Sequence, residues 1–440
     1  MLTMPTVAHD LLKRMSDARR RSDTLFRIVR PDSLYERPIA ERHRIIFYIG
    51  HLEAFDCNLL GQCFGQKPFS PEFDRLFAFG IDPVGGGLPD DRPSDWPALA
   101  AVQDYVVRTR RALDERLSEE NLDSRTDARD GFPLSTLLNV AVEHRLMHLE
   151  TLAYMLHQLP LDRKIRQAAP PDSSSSPVVA QMISIPAGRT TLGLPRASEE
   201  FGWDNEYESD DRGVPAFEID QYKVTNGQYL DFINAGGYET REFWSDDAWN
   251  WKTSQGISHP VFWRKAAGDW LYRTMFDEVP LPAEWPVYVS HAEAMAYARW
   301  AGKSLPSEEQ WQRAAYGTVD GQQRRYPWGS ESPSPNRGNF DFQHWNPTPV
   351  SAFPRGASAF GVHDILGNGW EWTSSIFGPL PGFKPFPFYK GYSADFFDGK
   401  HFVMKGGSAR TAACMLRPTF RNWFQAHYQY VYAGFRCVSR

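Results

Sequence analysis

VEHRLMHLETL, residues 142–152, places His144 and His148 four positions apart in an apolar stretch, with Glu150 just beyond. On an α-helix, residues i and i+4 share a face, so the two imidazoles can grip one ion, and Glu150 is placed to orient a ring N–H. Two ligands do not complete a site, and the spacing equally suits two satisfied histidines of an ordinary helix. A third candidate ligand, His51, lies in FYIGHLEAF (47–55), a separate segment whose apolar residues also recur at helical spacing.

Outward from these motifs, helical spacing runs through ERHRIIFYIGHLEAFDCNLLGQ (41–62), WPALAAVQDYVVRTRRALDERL (96–117) and PLSTLLNVAVEHRLMHLETLAYMLHQL (133–159). With the amphipathic N-terminal segment this predicts a four-helix bundle over residues 1–165, an architecture whose facing helices build metal sites. The Pro- and Ser-rich AAPPDSSSSPVV (168–179) cannot bury apolar surface and predicts a linker over 166–180. From 181 to 440, short apolar runs, Gly, Pro and most of the 15 tryptophans replace the helical texture, with only brief helical patterns such as SHAEAMAYARWAG (290–302) and SEEQWQRAAYG (307–317). The fold class is therefore α+β: a helical bundle followed by an irregular domain held together by buried aromatics.

Composition narrows the function. The 48 basic and 54 acidic residues leave a net charge of −6 with no long block of either sign, which speaks against nucleic acid and membrane surfaces and for small-molecule partners. No apolar run is long enough for a membrane span, and the N-terminus lacks a signal-type apolar core, so the expected location is the cytoplasm. Cys57, Cys63, Cys414 and Cys437 form no CxxC pair, which disfavours a disulfide framework or a thiolate zinc site. Three neutral imidazoles suit zinc as well as iron, so the ligands alone leave the metal open.

FGWDNE (201–206), VTNGQYLDFINAGGY (224–238), LPSEEQWQRAA (305–315), GNGWEW (367–372), KGGSAR (405–410) and GFRC (434–437) follow one another across the second half. In that order they resemble the formylglycine-generating-enzyme fold, which also occurs as a C-type-lectin-like domain. The first half is similar to the DinB-like bundle, whose three histidines bind a metal. The pairing of the two resembles the ergothioneine sulfoxide synthases. That resemblance implies a mononuclear nonheme Fe(II) on His51, His144 and His148, with the C-terminal domain closing over it. It also implies dioxygen as oxidant and hercynine, the trimethylated betaine of histidine, as acceptor. In PTFRNWFQAHYQY (418–430), Asn422 and Trp423 match the acceptor positions, Asn422 suited to the carboxylate and Trp423 to packing near the quaternary ammonium. The family's proton-delivering tyrosine corresponds in region to Tyr389 and Tyr392 of PFPFYKGYSADFF (385–397), and a structural Ca2+ near Asn368 is a further expectation.

Several positions depart from the family pattern. Sulfoxide synthases using γ-glutamylcysteine carry Asp and Arg where this chain has Phe424 and Tyr428, and two aromatic rings cannot satisfy a zwitterion. Met147 replaces the Gln of H-x-x-Q-H in mycobacterial-type enzymes. The remaining donors are free cysteine and a selenosugar. Aromatic faces favour a sugar ring, and FYIGHLEAFD resembles the selenoneine synthases. The expected activity is thus Fe(II)- and O2-dependent C–Se bond formation on the imidazole carbon of hercynine, with a cysteine-using ergothioneine sulfoxide synthase as alternative. A donor carboxylate could meet Arg108, Arg110 or Arg111 of YVVRTRR (105–111), with Arg108 as the primary candidate. A zinc-dependent DinB-type thiol transferase is the rival of another class, and pure ligand binding a third. Formylglycine generation itself requires a cysteine pair after GGS, where KGGSARTAACMLRPTF (405–420) has Cys414 alone.

Overall fold

The computed structural model describes residues 7–65, 70–79, 88–119, 129–167 and 178–439. The chain divides into two compact units, Met1–Gln167 and Ala168–Arg440. Most of the expected linker, residues 168–177, lies outside the described residues.

The first unit contains the four long helices that periodicity predicts, α1 (Val7–Phe26), α2 (Ile45–Leu60), α4 (Leu99–Glu119) and α5 (Leu134–Gln158), with a shorter α3 (Pro71–Phe79) inserted. Helix α1 packs on α5, and α2 packs on α3, α4 and α5. Helix α5 is enclosed along most of its length, Leu134, Leu137, Leu138, Leu149, Leu152 and Leu156 having no exposed surface. It ends where Pro160 forces Leu159 into extended backbone, φ −62° and ψ 145°. Gly50 lets α3 approach α2: a Cβ there would stand 2.4 Å from the Phe77 ring.

The second unit is built from small sheets and short helices. Strands β1 (Met182–Ile185), β4 (Phe217–Asp220) and β12 (Val438–Ser439) form one antiparallel sheet, which joins the beginning and end of the domain. Strands β2 (Gly188–Leu192) and β3 (Asp210–Val214) pair with each other, and β5 (Trp263–Ala266), β6 (Asp269–Arg273) and β7 (Glu278–Pro280) form a meander. The central sheet has the order β10 (Asn422–Gln425), β9 (His401–Lys405), β8 (Trp370–Ile376), β11 (Ala433–Gly434). Helices α6 (Asn226–Asn234), α7 (Asp246–Ser254), α8 (His291–Trp300) and α9 (Glu308–Tyr316) each begin at a Thr or Ser whose hydroxyl accepts a first-turn N–H. One core gathers Trp311 and Tyr316 of α9 against Ile185, Ile219, Phe340, Val362 and Ile365. The two textures of the sequence are thus an α-helical unit and an α+β unit.

Candidate metal centre and substrate-binding residues

The bundle brings His51 of α2 to His144 and His148 of α5, with one ring nitrogen of each within 4.8 Å of the others. His51 Nε2 and His148 Nε2 are 3.2 Å apart. Two nitrogens bound about 2.1 Å from one ion at 90–110° lie about 3.0–3.4 Å apart, so this is already a ligand-like separation. His51 Nδ1 donates to the Phe77 carbonyl at 2.7 Å. A carbonyl only accepts, so that bond fixes the tautomer and leaves the Nε2 lone pair facing the other two rings. Burial, outweighing the Phe77 hydrogen bond, pushes His51 down to about 4 and drives His144 and His148 well below the usual imidazole range. Without an ion, a His148 Nε2–H can donate to the His51 Nε2 lone pair; with the His148 proton on Nδ1 instead, both Nε2 lone pairs face each other and call for a cation between them. The buried His148 Nδ1, which has no hydrogen-bond partner among the described residues, adds a polar atom without protein compensation. The donor set fits a divalent transition metal.

Aromatic rings hold these imidazoles. Phe47 stacks on His51 at 4.7 Å, Phe55 on His144 at 3.4 Å, and Tyr48 tilts against His148 at 5.7 Å. Phe47, His51 and Phe55 are spaced four apart on α2, a stripe legible in FYIGHLEAF that sequence reasoning passed over. Next to the triad, the buried Arg145 donates to Glu53 at 2.9 Å, Asp56 at 2.7 Å and the Leu52 carbonyl at 3.0 Å. Despite desolvation, Arg145 and Arg110 hold Glu53 down at about 2.

Other expected bundle residues take different places. Arg110, not Arg108, turns inward and meets Asp23 and Glu53. Arg108 is 56% exposed and sits 3.5 Å from Asp104 on its own helix, and Arg111 is 80% exposed near Glu115. The helical turn carries the Arg108 side chain to solvent. Glu150 is buried but two positions beyond His148, about 200° around the helix axis, and the carbonyl of Phe77 takes the orienting role for His51. Met147 is half-buried, one residue before His148.

In the second unit, residues read separately from sequence join one aromatic cluster. Trp423 stacks on Phe377 at 4.1 Å and 6° and meets Tyr392 edge-on at 5.5 Å. Tyr392 stacks on Trp203 at 4.0 Å, and Tyr389 lies 5.6 Å from Tyr392. Burial, then the Asp204 charge, pushes the Tyr389 phenol up to about 12, so it keeps its proton at neutral pH. Burial also pushes Asp204 up to about 6, although its Oδ1 accepts from Ser393 at 2.6 Å. Asp204 Oδ2 and both amide atoms of Asn205 are buried without a hydrogen-bond partner among the described residues. Sequence reasoning used these FGWDNE residues as a family marker only. Asn422 Oδ1 accepts from the Trp423 N–H at 2.8 Å, which leaves its NH2 as the donor end for a carboxylate. Successive strand residues point to opposite faces. Phe424 accordingly stacks on Tyr428 at 4.8 Å and 14°, with Tyr430 edge-on to Tyr428 at 5.5 Å.

The Asn368 side chain, near the expected calcium, is fully engaged by protein partners. Asn368 Oδ1 accepts from Thr348 N and Oγ1 and from Asn339 Nδ2, while its NH2 donates to Thr348 O and Asp364 Oδ2. The neighbouring oxygens, Asp364 O, Gly367 O and Glu371 Oε1, converge on the fully buried ammonium of Lys223, at 3.2 Å from Gly367 and 3.3 Å from Glu371. Lys223 thus places a cation in this loop, while Asp364 Oδ1, Asn339 Oδ1 and Asn346 Oδ1 are buried without a hydrogen-bond partner among the described residues.

Cys57, Cys63, Cys414 and Cys437 form no disulfide with one another. No helix among the described residues is long and apolar enough to cross a membrane.

Comparison with known proteins follows the same division. Residues 14–152 match the DinB superfamily, and residues 167–440 match the sulfatase-modifying factor enzyme 1-like domain family. Hercynine oxygenase of Mycobacterium tuberculosis is 43% identical over 248 residues, which is 56% of this chain and 57% of that protein. Hercynine oxygenase of Mycolicibacterium smegmatis is 35% identical over 376 residues, 83% of each chain. Ergothioneine biosynthesis protein 1 of Neurospora crassa is 27% identical over 494 residues, 92% of this chain and 55% of that one. With a DinB-superfamily bundle, a sulfatase-modifying-factor-like domain and a relative matched along most of both chains, the protein belongs to the hercynine oxygenase family of ergothioneine-biosynthesis oxidoreductases.

Proposed function

We propose that this chain is a nonheme Fe(II)- and O2-dependent enzyme that joins selenium from a selenosugar to the imidazole carbon of hercynine. The observation that carries the oxidative reading is the convergence of His51, His144 and His148, three neutral imidazoles that leave coordination positions open. Bound there, iron would supply the redox chemistry that a d10 zinc ion lacks, which separates this reading from a zinc-dependent thiol transfer.

The chain's own residues supply binding and proton handling. Asn422 offers its NH2 to the acceptor's carboxylate, and Trp423, backed by Phe377, offers an aromatic surface to its trimethylammonium. Tyr389, protonated at neutral pH, and Tyr392, stacked on Trp203, are the two candidates to deliver a proton. For a donor with a free selenol, one C–H and one Se–H bond break, one C–Se bond forms, one oxygen atom ends on selenium and the other leaves as water. The four electrons that reduce O2 come from the two substrates.

The donor assignment rests on the Phe424–Tyr428 stack, a surface on which a polyhydroxylated ring can pack and which offers no partner for an ammonium and a carboxylate. The test loads the protein anaerobically with Fe(II), adds hercynine with a selenosugar and cysteine at equal concentration, then admits O2. Mass spectrometry should show the selenium adduct formed faster. Faster formation of the cysteine-derived sulfoxide would make the chain an ergothioneine sulfoxide synthase, and turnover with zinc but not iron would overturn the oxidative reading.

A further inference from the structure

We infer that Arg145 is a positioning residue for the three-histidine site: its guanidinium sets the register of α5 against α2 and so brings the imidazole nitrogens together. This rests on the reading of His51, His144 and His148 as metal ligands. Arg145 directly follows His144, and the acceptors it grips begin directly after His51. One nitrogen, Nη2, donates to the Leu52 carbonyl at 3.0 Å and Asp56 Oδ2 at 2.7 Å, and the other, Nη1, to Glu53 Oε1 at 2.9 Å and Ser22 Oγ at 3.2 Å. Each ligand-bearing helix is therefore tied to the other within one residue of its histidine.

The same acceptor extends the tie. Glu53 Oε1 also receives Arg110 of α4 at 2.7 Å, and Arg110 holds Asp23 of α1 through two bonds of 2.8 Å. All four long helices meet at this network, which is 1% exposed at Arg145, Glu53 and Asp56. A helix pair held by apolar contacts alone can slide or rotate by fractions of an ångström at little cost. A planar guanidinium with several fixed acceptors cannot be moved without breaking charged hydrogen bonds. Such stiffness is useful where nitrogen atoms must stay at the 3.2 Å separation of His51 and His148.

Lysine keeps the charge but cannot reach these acceptors as a fork, so Arg145→Lys separates positioning from neutralisation. The protein is loaded with cobalt(II), whose visible bands report coordination geometry, and affinity is measured by competition with a chelator, folding being checked by circular dichroism. The expected result is a folded variant with cobalt affinity lowered by roughly 10- to 100-fold and altered visible bands. Native affinity and native bands in the folded variant would overturn the proposal. If Arg145→Lys does not fold, Asp56→Asn, in which Arg145 keeps Glu53 as a charged partner, serves in its place. It should show a smaller loss and a band change, and native values there would likewise overturn the proposal. Failure of the unaltered protein to bind cobalt would instead refute the metal site itself, a separate result.

Discussion

Replacing Lys223 by methionine should destabilise the second unit by about 3–5 kcal/mol, the usual cost of removing one partner from a buried charge cluster. The structure supports that size. Burial already holds Asp364 at about 6, against an ordinary 3.8, even with Lys223 nearby. At pH 7 the carboxyl can always escape further penalty by taking a proton, which limits its added cost to about 1.4 kcal/mol. Glu371 keeps Arg436 at 2.6 and 2.9 Å and contributes less. The carbonyls of Asp364 and Gly367 each lose a charged donor, at about 1–3 kcal/mol apiece. For a unit of this size the total corresponds to a fall in Tm of about 6–20 °C. Tryptophan fluorescence is the assay, because of the 15 tryptophans only Trp96 lies in the first unit. A fall below 2 °C would refute the role of Lys223. A fall in the Tm of the unaltered protein on adding EGTA would show that a calcium ion shares this loop.

Three further outcomes follow from particular contacts. Gly50→Ala places a Cβ 2.4 Å from the Phe77 ring and should cost about 1–3 kcal/mol; by displacing the carbonyl that holds His51 it should also weaken metal binding roughly tenfold, and native affinity in the folded variant would break that link. Asp364 binds its proton more tightly folded than unfolded, so its contribution is full below pH 3.8 and is lost as pH rises through about 6, a change of about 3 kcal/mol. Asp364→Asn should flatten the second unit's stability between pH 4 and 6.5 by up to that amount, and parallel curves for the two proteins would contradict the assignment. Trp423→Ala should raise the dissociation constant for hercynine roughly 2- to 30-fold, as loss of about 0.5–2 kcal/mol requires, with unchanged calorimetric titration as the contrary result.

The sequence alone determined what local periodicity controls. Apolar residues at 3.6-residue spacing specify helices wherever they occur, so the four long helices and the shared face of His144 and His148 were legible before any packing was known. The motifs from FGWDNE to GFRC likewise located the second domain, and RNWF located its aromatic strand. Only tertiary structure decided which side chains meet. Whether His51 faced the pair depended on the rotation of α2, which is set by partners distant in sequence: Phe77 against Gly50, and Arg145 across to Glu53 and Asp56. Arg108 and Arg110 are two positions apart and chemically identical, yet one lies in solvent and the other in a buried network, because two residues of a helix differ by about 200° in direction. The Lys223 ammonium that lies in the Asn368 loop comes from 141 residues upstream of Asp364, and no spacing rule reaches that far. Charge and aromatic chemistry could be read from composition, but their partners were fixed only when the chain folded, since burial makes an unpaired charge costly and selects the arrangement in which each finds its counterpart.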